Sequence, residues 1–328
     1  MIGYVLALRS TEPLDDLTPY VRWLSTRVEL VLVDGSDPSV FAHHHRCWSG
    51  HALHIPVDPD LATPMGKVGG VLTGLHRVGA RRVIVADDDV RYTEHALCRM
   101  EELMTDAALV RPQNVFCEWP WHARWDTARS LIARVTGGDW PGTLGVDRDL
   151  LLAAGGYAGD VMFENLELAR TIQAAGGRHL VASDVYVPRT PPTARQFWSQ
   201  RVRQAYDELA RPGHLACALA ILPATFVGGK RVALGIATAG TLLAALGRWR
   251  ASGAREFPCS AVLFAPLWIS ERAVTAWLAV LSRVMFGGVR YRGTVLRHAA
   301  HSTRSIRRRS ARRSGVVTAH GARHACAG

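Results

Sequence analysis

Three consecutive carboxylates, Asp87-Asp88-Asp89, follow the apolar run Val83-Ile84-Val85-Ala86. Such a β-branched run reads as a buried strand. In an open α/β sheet, ligands bind beyond the carboxyl ends of the strands. Adjacent carboxylates raise one another's pKa, so a trio of them calls for a compensating cation. Mg2+ or Mn2+ bearing a nucleotide phosphate meets that need, because hard cations take oxygen ligands. The same residues also read as an acidic loop that caps a helix. Asp34 ends a second apolar run, Glu29–Val33, within Asp34-Gly35-Ser36-Asp37. It could accept hydrogen bonds from a base or ribose, or close an Asx-type turn. Lys67 opens a helix whose free backbone amides favour an anion such as a diphosphate, and a solvated lysine is the alternative.

Further along, Glu164, Glu167 and Leu168 share one helical face by i, i+3, i+4 spacing. A carboxylate there could act as a general base toward an acceptor hydroxyl, or simply favour a helix start. Gln200 and Arg203 lie one turn apart in the cationic amphipathic segment 196–206, where both could reach one phosphate or sugar edge or face solvent. His43-His44-His45 resembles a metal cluster, but adjacent residues cannot all point at one ion; an exposed loop is expected. Trp119, Trp121, Trp125 and Trp140 crowd one stretch, fit for core packing, an acceptor pocket or a membrane interface.

The elements that must position these groups alternate. Val5–Leu8, Glu29–Val33, His54–Val57 and Val83–Ala86 read as strands, with helices over Leu14–Leu24 and Gly66–Arg77. This rhythm predicts a mainly parallel sheet covered by helices. Residues 1–212 form one α/β unit in this reading. From 213 to 289 the composition turns apolar, in runs each shorter than a bilayer-spanning helix and interrupted by Lys230-Arg231, Arg248-Trp249-Arg250 and Glu271-Arg272. Two interfacial helices, one crossing helix with a polar defect, or a soluble helical domain all fit this pattern. The Trp and Arg flanks favour membrane association.

Residues 290–328 read as a basic, disordered tail. The 328-residue chain carries a net charge of +11, and ten arginines with no acid lie from Arg290 onward. The rest is therefore near neutral. Positive residues beside an apolar region belong on the cytoplasmic side and attract anionic lipid. No nucleic-acid partner is expected, since no folded reading module accompanies the tail. Six scattered cysteines without a CxxC pair suit reduced thiols. No signal peptide is expected at the N-terminus.

Taken in order, these pieces resemble a family 2 glycosyltransferase of the GT-A fold, over about residues 3–293. Val33-Asp34-Gly35-Ser36-Asp37 is similar to the family's nucleotide-contacting segment. Gly66-Lys67 through Gly74-Leu75 looks like its GK helix, and Asp87-Asp88-Asp89 like its DxD metal motif. Gly155-Gly156-Tyr157 followed by Glu164-Asn165-Leu166-Glu167-Leu168 looks like its "GGY…EDxxL" segment. Gln200-Arg201-Val202-Arg203-Gln204 resembles QxxRW. Val289-Arg290-Tyr291-Arg292-Gly293 is similar to a segment that follows the membrane part in lipid-directed members.

The resemblance implies an inverting sugar transfer from a nucleoside-diphosphate sugar, most simply a UDP-sugar, to a lipid or lipid-linked acceptor at the cytoplasmic face of the cell membrane. Asp87 and Asp89 would hold Mg2+ or Mn2+. Arg9, Asp34, Lys67, Asp88, Gln200 and Arg203 would contact donor or acceptor. Glu164, Asn165 and Glu167 would stand at the catalytic base position. Three departures from the family pattern bear on this. Asn165 replaces the usual Asp and cannot be a base. Gln204 replaces the Trp of QxxRW. The first strand ends in Leu8-Arg9-Ser10. Phosphatase or nucleotidyltransferase chemistry on a DxD strand, and a non-catalytic membrane scaffold, are the rival readings.

Overall fold

The structure is a computed structural model that describes residues 1–311. Seven strands form one twisted sheet in the order β3-β2-β1-β4-β6-β5-β7. They are β1 (Gly3–Leu8), β2 (Glu29–Asp34), β3 (Leu53–Pro56), β4 (Arg82–Ala86), β5 (Leu109–Phe116), β6 (Thr143–Asp147) and β7 (His179–Arg189). All neighbours are parallel except β6, which runs antiparallel to both β4 and β5. The sheet is thus mainly parallel, as the sequence suggested, with β6 the one reversed strand. The residues now in β6, Thr143–Asp147, give no hint of direction in isolation.

Side chains alternate across the sheet as period-2 geometry requires. Val5, Val31, Val33, Val83 and Val85 pack on one face with α3 (Gly66–Arg77) and α7 (Glu164–Ala174). Tyr4, Leu6, Leu30, Leu32 and Ile84 pack on the other with α1 (Thr18–Ser25) and α4 (Glu94–Asp106). Helix α3 lies so close that a Cβ on Gly74 would sit 2.4 Å from Val5 Cγ1. That contact fixes the height of Lys67 at the helix start.

Two expectations change here. The His43–His45 stretch is not a loop but the middle of α2 (Pro38–Trp48), with His44 buried. Nor is the chain beyond residue 289 disordered throughout: β8 (Val289–Tyr291) pairs with β9 (Thr294–Leu296), and residues 303–311 are helical. His298 and Ala299 accept hydrogen bonds from the main-chain amides of Met162 and Phe163. The local composition is poor in large apolar groups, but the segment is held by the folded domain. The rest of the expected tail lies outside the described residues.

The apolar region forms α9 (Pro212–Trp249) and α10 (Ala265–Phe286). Helix α9 is broken at Gly229, whose φ of 58° departs from helical geometry. Among the described residues, one helix, the α9 segment, is long and apolar enough to cross a membrane by length and composition. Its C-terminal half docks on α5 (Trp121–Val135). There the buried Arg134 donates to Gly247 O, Gln113 Oε1 and Tyr186 Oη. Around Gly229 the helix leaves the protein surface, and Phe226 is 90 % exposed.

Candidate active site

A cleft of about 830 Å³ opens over the carboxyl ends of β1 and β4 and is walled by α5, α8 (Ala194–Tyr206), and the starts of α9 and α10. Asp87, Asp88 and Asp89 line it. Several main-chain bonds fix the turn that carries them. Asp87 N–H donates to Gly142 O, Arg91 N–H to Pro188 O, and Thr190 N–H to Asp89 O. Gly142 is a close-approach site: a Cβ there would lie 2.5 Å from Asp87 Oδ2. Any side chain at position 142 would push that carboxylate out of place.

The three acids are compensated by two cations from distant elements. Lys67 Nζ lies 2.5 Å from Asp87 Oδ1 and 2.6 Å from Glu164 Oε1. Arg189 Nε donates to Asp89 Oδ2 at 2.7 Å. Burial opposes the charge on Lys67, but Asp87 and Glu164 outweigh it and hold the ammonium charged. Burial pushes Asp88 up to about 6, helped by the charges of Asp89 and Asp87. Burial and Asp87 also raise Asp89, against the pull of Arg189. Asp89 Oδ1 is buried and accepts no hydrogen bond. Clustered carboxylates with an orphaned buried oxygen are the donor set a divalent hard cation takes. Asp87 and Asp89 fit such an ion.

The remaining candidates divide. Arg9, Gln200, Glu164 and Asn165 line the same cleft. Glu164 is engaged by Lys67, and Asn165 donates through Nδ2 to Pro141 O at 3.0 Å. Asp34, Glu167 and Arg203 do not line it. Asp34 is 1 % exposed. His44 Nε2 accepts from the Leu14 amide, which leaves Nδ1–H to donate to Asp34 Oδ2 at 2.7 Å. His54 Nε2 approaches the same oxygen at 3.2 Å, and Ser36 N–H donates to Oδ1. Burial works to raise Asp34, but its bonds to His54, Ser36 and His44 prevail and bring it down to about 2. The expected nucleoside contact is therefore a sequestered carboxylate that braces the 9–14 loop from behind.

Glu167, placed by helical spacing beside Glu164, instead turns away from the cleft. Its Oε2 accepts the His301 amide at 2.6 Å, and its Oε1 faces His301 Nδ1 at 2.9 Å. The i, i+3 relation puts residues on a common side of a helix, but α7 is wrapped by the 298–301 segment over that side. Arg203 rests over the Tyr291 ring. Its neighbour Arg201 is buried against Asp126 and Glu271.

Sequence reasoning did not single out Arg189, Asp207, Arg211 or Arg272, which all line the cleft. Arg189 is the last residue of β7 and could have been suspected as a charge at a strand end; the others carry no local signal. The tryptophans separate too: Trp140 lines the cleft, while Trp121, Trp125 and Trp198 pack edge to face with Phe197.

No family model and no curated protein matches this chain. Among solved structures, a mannosyltransferase from Pyrobaculum calidifontis, in complex with GDP-mannose and Mn2+, is similar over 86 % of both chains at 17 % identity and TM-score 0.51. Glucosyl-3-phosphoglycerate synthase from Mycobacterium tuberculosis, with Mn2+, UDP and phosphoglyceric acid, matches 62 % of this chain and 76 % of its own. The identity is 16 % and the TM-score 0.42. Mannosyl-3-phosphoglycerate synthase from Rubrobacter xylanophilus covers 62 % and 71 % at 12 % identity and TM-score 0.42. The first likeness shows that this chain has the fold of the GT-A glycosyltransferases. The cleft lies at the carboxyl rim of this sheet.

Proposed function

We propose that this protein transfers a sugar from a nucleoside-diphosphate sugar, in a reaction dependent on Mg2+ or Mn2+, to a lipid or lipid-linked acceptor with inversion at the anomeric carbon. The observation that carries the reading is the compensated acid cluster. Asp87 and Asp89, flanked by Lys67 and Arg189, stand at the end of β4 beside the cleft. A divalent ion held by Asp87 and Asp89 would neutralise the charge that develops on the diphosphate as the sugar departs. Lys67 and Arg189, already poised beside those carboxylates, would turn to the diphosphate oxygens and add fixed positive charge at the leaving group. Arg9, Ser10 and Thr11, which line the cleft at the end of β1, offer a nucleoside wall held in place by the Ser10 amide bond to Ser36 Oγ and by Leu14 on His44.

Membrane contact belongs to the apolar helices. Exposed Phe226, Val227, Leu234 and Leu242 on α9, with Leu281, Val284 and Met285 on α10, supply an apolar surface that water disfavours. With basic residues following α10, this surface supports attachment at the cytoplasmic face of the cell membrane. The test uses purified full-length protein in mild detergent with a panel of UDP- and GDP-sugars and Mn2+. Thermal stabilisation by at least one donor, abolished by EDTA, is expected. A panel giving no EDTA-sensitive shift would overturn the reading in favour of a non-catalytic scaffold.

A further inference from the structure

Outside the cleft, a second group of metal-binding side chains gathers where the chain beyond β9 returns to the start of α7. Asp160 shortly precedes α7, and His298 and His301 follow β9 with an H-x-x-H spacing. One ligand atom from each of the three lies within 4.8 Å of the other two. Backbone pairing makes that meeting. Val161 bridges in parallel to His298, and the Met162 and Phe163 amides donate to His298 O and Ala299 O. The two imidazole rings stand 5.0 Å apart between centroids. Tetrahedral ligands about 2.0–2.1 Å from Zn2+ lie about 3.4 Å from one another, so these three must close by at most about 1.4 Å. Asp160 and His298 are exposed, and rotation of their side chains supplies that adjustment.

The hydrogen bonds of His301 give this group a second mark of a metal site. Arg309 Nη2 lies 3.0 Å from Nε2, and a guanidinium can only donate. Nε2 therefore carries the lone pair, and Nδ1–H donates to Glu167 Oε1 at 2.9 Å. Glu167 Oε2 holds the His301 amide as well, which fixes the ring against the backbone. A carboxylate on the far nitrogen is the partner that metal-bound imidazoles take, because it sets the tautomer and strengthens the other nitrogen as a donor. Asp160 and Glu167 together carry the two negative charges that balance a divalent ion. Arg309 is an exposed side chain on the 303–311 helix and must swing off Nε2 to admit one. Two imidazoles beside one carboxylate suit Zn2+, whereas the all-oxygen set of Asp87 and Asp89 suits Mg2+ or Mn2+.

We propose that Asp160, His298 and His301 bind Zn2+, with Glu167 as the outer carboxylate and water completing the tetrahedron. The ion clasps the chain that leaves the apolar helices to residues 160–163. Phe163 and Glu164, which line the cleft, follow directly on that stretch, so the clasp also stiffens one wall of the cleft. This site is separate from Asp87 and Asp89, and it stands whether or not the transferase reading does.

Isothermal titration of Zn2+ into the full-length protein, with excess Mg2+ present to occupy the all-carboxylate positions, tests this. The proteins compared are the wild type, His298→Gln, Asp160→Asn and Arg309→Met. Zn2+ is expected to bind the wild type and to be withdrawn by EDTA. Loss of either exposed ligand should weaken binding at least tenfold with the circular dichroism unchanged. Arg309→Met should tighten it several-fold, since no cation then competes for Nε2. A second readout places the ion. At ten times its Kd, Zn2+ should lower the open population of the 297–304 segment about tenfold, and native-state trypsin cleavage at Arg297 and Arg304 should slow to match. His298→Gln should abolish that protection, which an ion bound elsewhere in the chain would not give. Failure of the wild type to take up Zn2+, binding unchanged in both His298→Gln and Asp160→Asn, or cleavage indifferent to Zn2+ overturns the site.

Discussion

Replacing Glu167 by Gln separates a catalytic from a structural carboxylate. The residue is 1 % exposed, and its carboxylate takes both the amide and the ring nitrogen of His301. Gln keeps the volume and one acceptor for the His301 amide, but it loses the charge and sets an amide against Nδ1. One charge-assisted bond is lost, worth about 1.5–3 kcal/mol. Other contacts hold the same segment: Arg170 donates to His301 O, and the Phe163 amide to Ala299 O. The loss should therefore appear as local opening of residues 297–304 rather than global unfolding. That energy corresponds to a roughly ten- to hundredfold larger open population. Native-state trypsin cleavage at Arg297 and Arg304, which tracks that population when reclosing is fast, is the assay. Cleavage should accelerate by that factor while Mn2+-dependent UDP binding stays at the wild-type level. Unchanged cleavage together with weakened UDP binding would refute the structural assignment and return Glu167 to the active site.

Asp89→Ala removes the buried orphan oxygen and the carboxylate that Arg189 Nε donates to; metal-dependent donor binding should fall below detection in a Mn2+–UDP titration. Gly142→Ala should weaken the same binding at least tenfold with little change in helix content by circular dichroism, because the new Cβ displaces Asp87. Asp34 sits near 2 when folded against about 3.9 in an unfolded chain, so it contributes about 2.6 kcal/mol of stability. A depressed carboxyl stabilises above its unfolded pKa and ceases to do so as pH falls through the folded one. The urea-midpoint gap between wild type and Asp34→Asn should hold above about pH 4 and shrink toward pH 2. Phe226→Asp with Val227→Asp should weaken sedimentation with anionic phospholipid vesicles several-fold, leaving UDP binding intact.

How much of this was legible beforehand varies by residue. The strand ending in Asp87-Asp88-Asp89 was, because a β-branched run states its own burial and the carboxylates after it mark where it ends. The parallel core β1, β2, β3 and β4 was equally plain, since each apolar run is followed by a helix-length connection. Position 165 carries its limit in its own chemistry: an amide cannot take a proton in any fold. Gln200 was found through a motif and does reach the cleft. Arg203, from the same motif, does not, because one turn of helix fixes proximity along an axis but not which neighbour covers that face.

The remaining features depend on contacts between residues far apart in sequence, and no local pattern encodes those. Lys67 meets Glu164 across 97 positions, and Arg189 meets Asp89 across 100. His44 and His54 close over Asp34 only once α2 and β3 have docked beside β2, which turns an apparent ligand contact into a brace. The reversed direction of β6 follows from its place between β4 and β5. Arg272 belongs to an apolar helix whose sequence suggests a membrane face; folding against α8 and the start of α9 is what turns its guanidinium into the cleft. Composition and period determined which segments bury and where charge collects. Only packing decided which charges face one another, because electrostatic partners are chosen by distance in space.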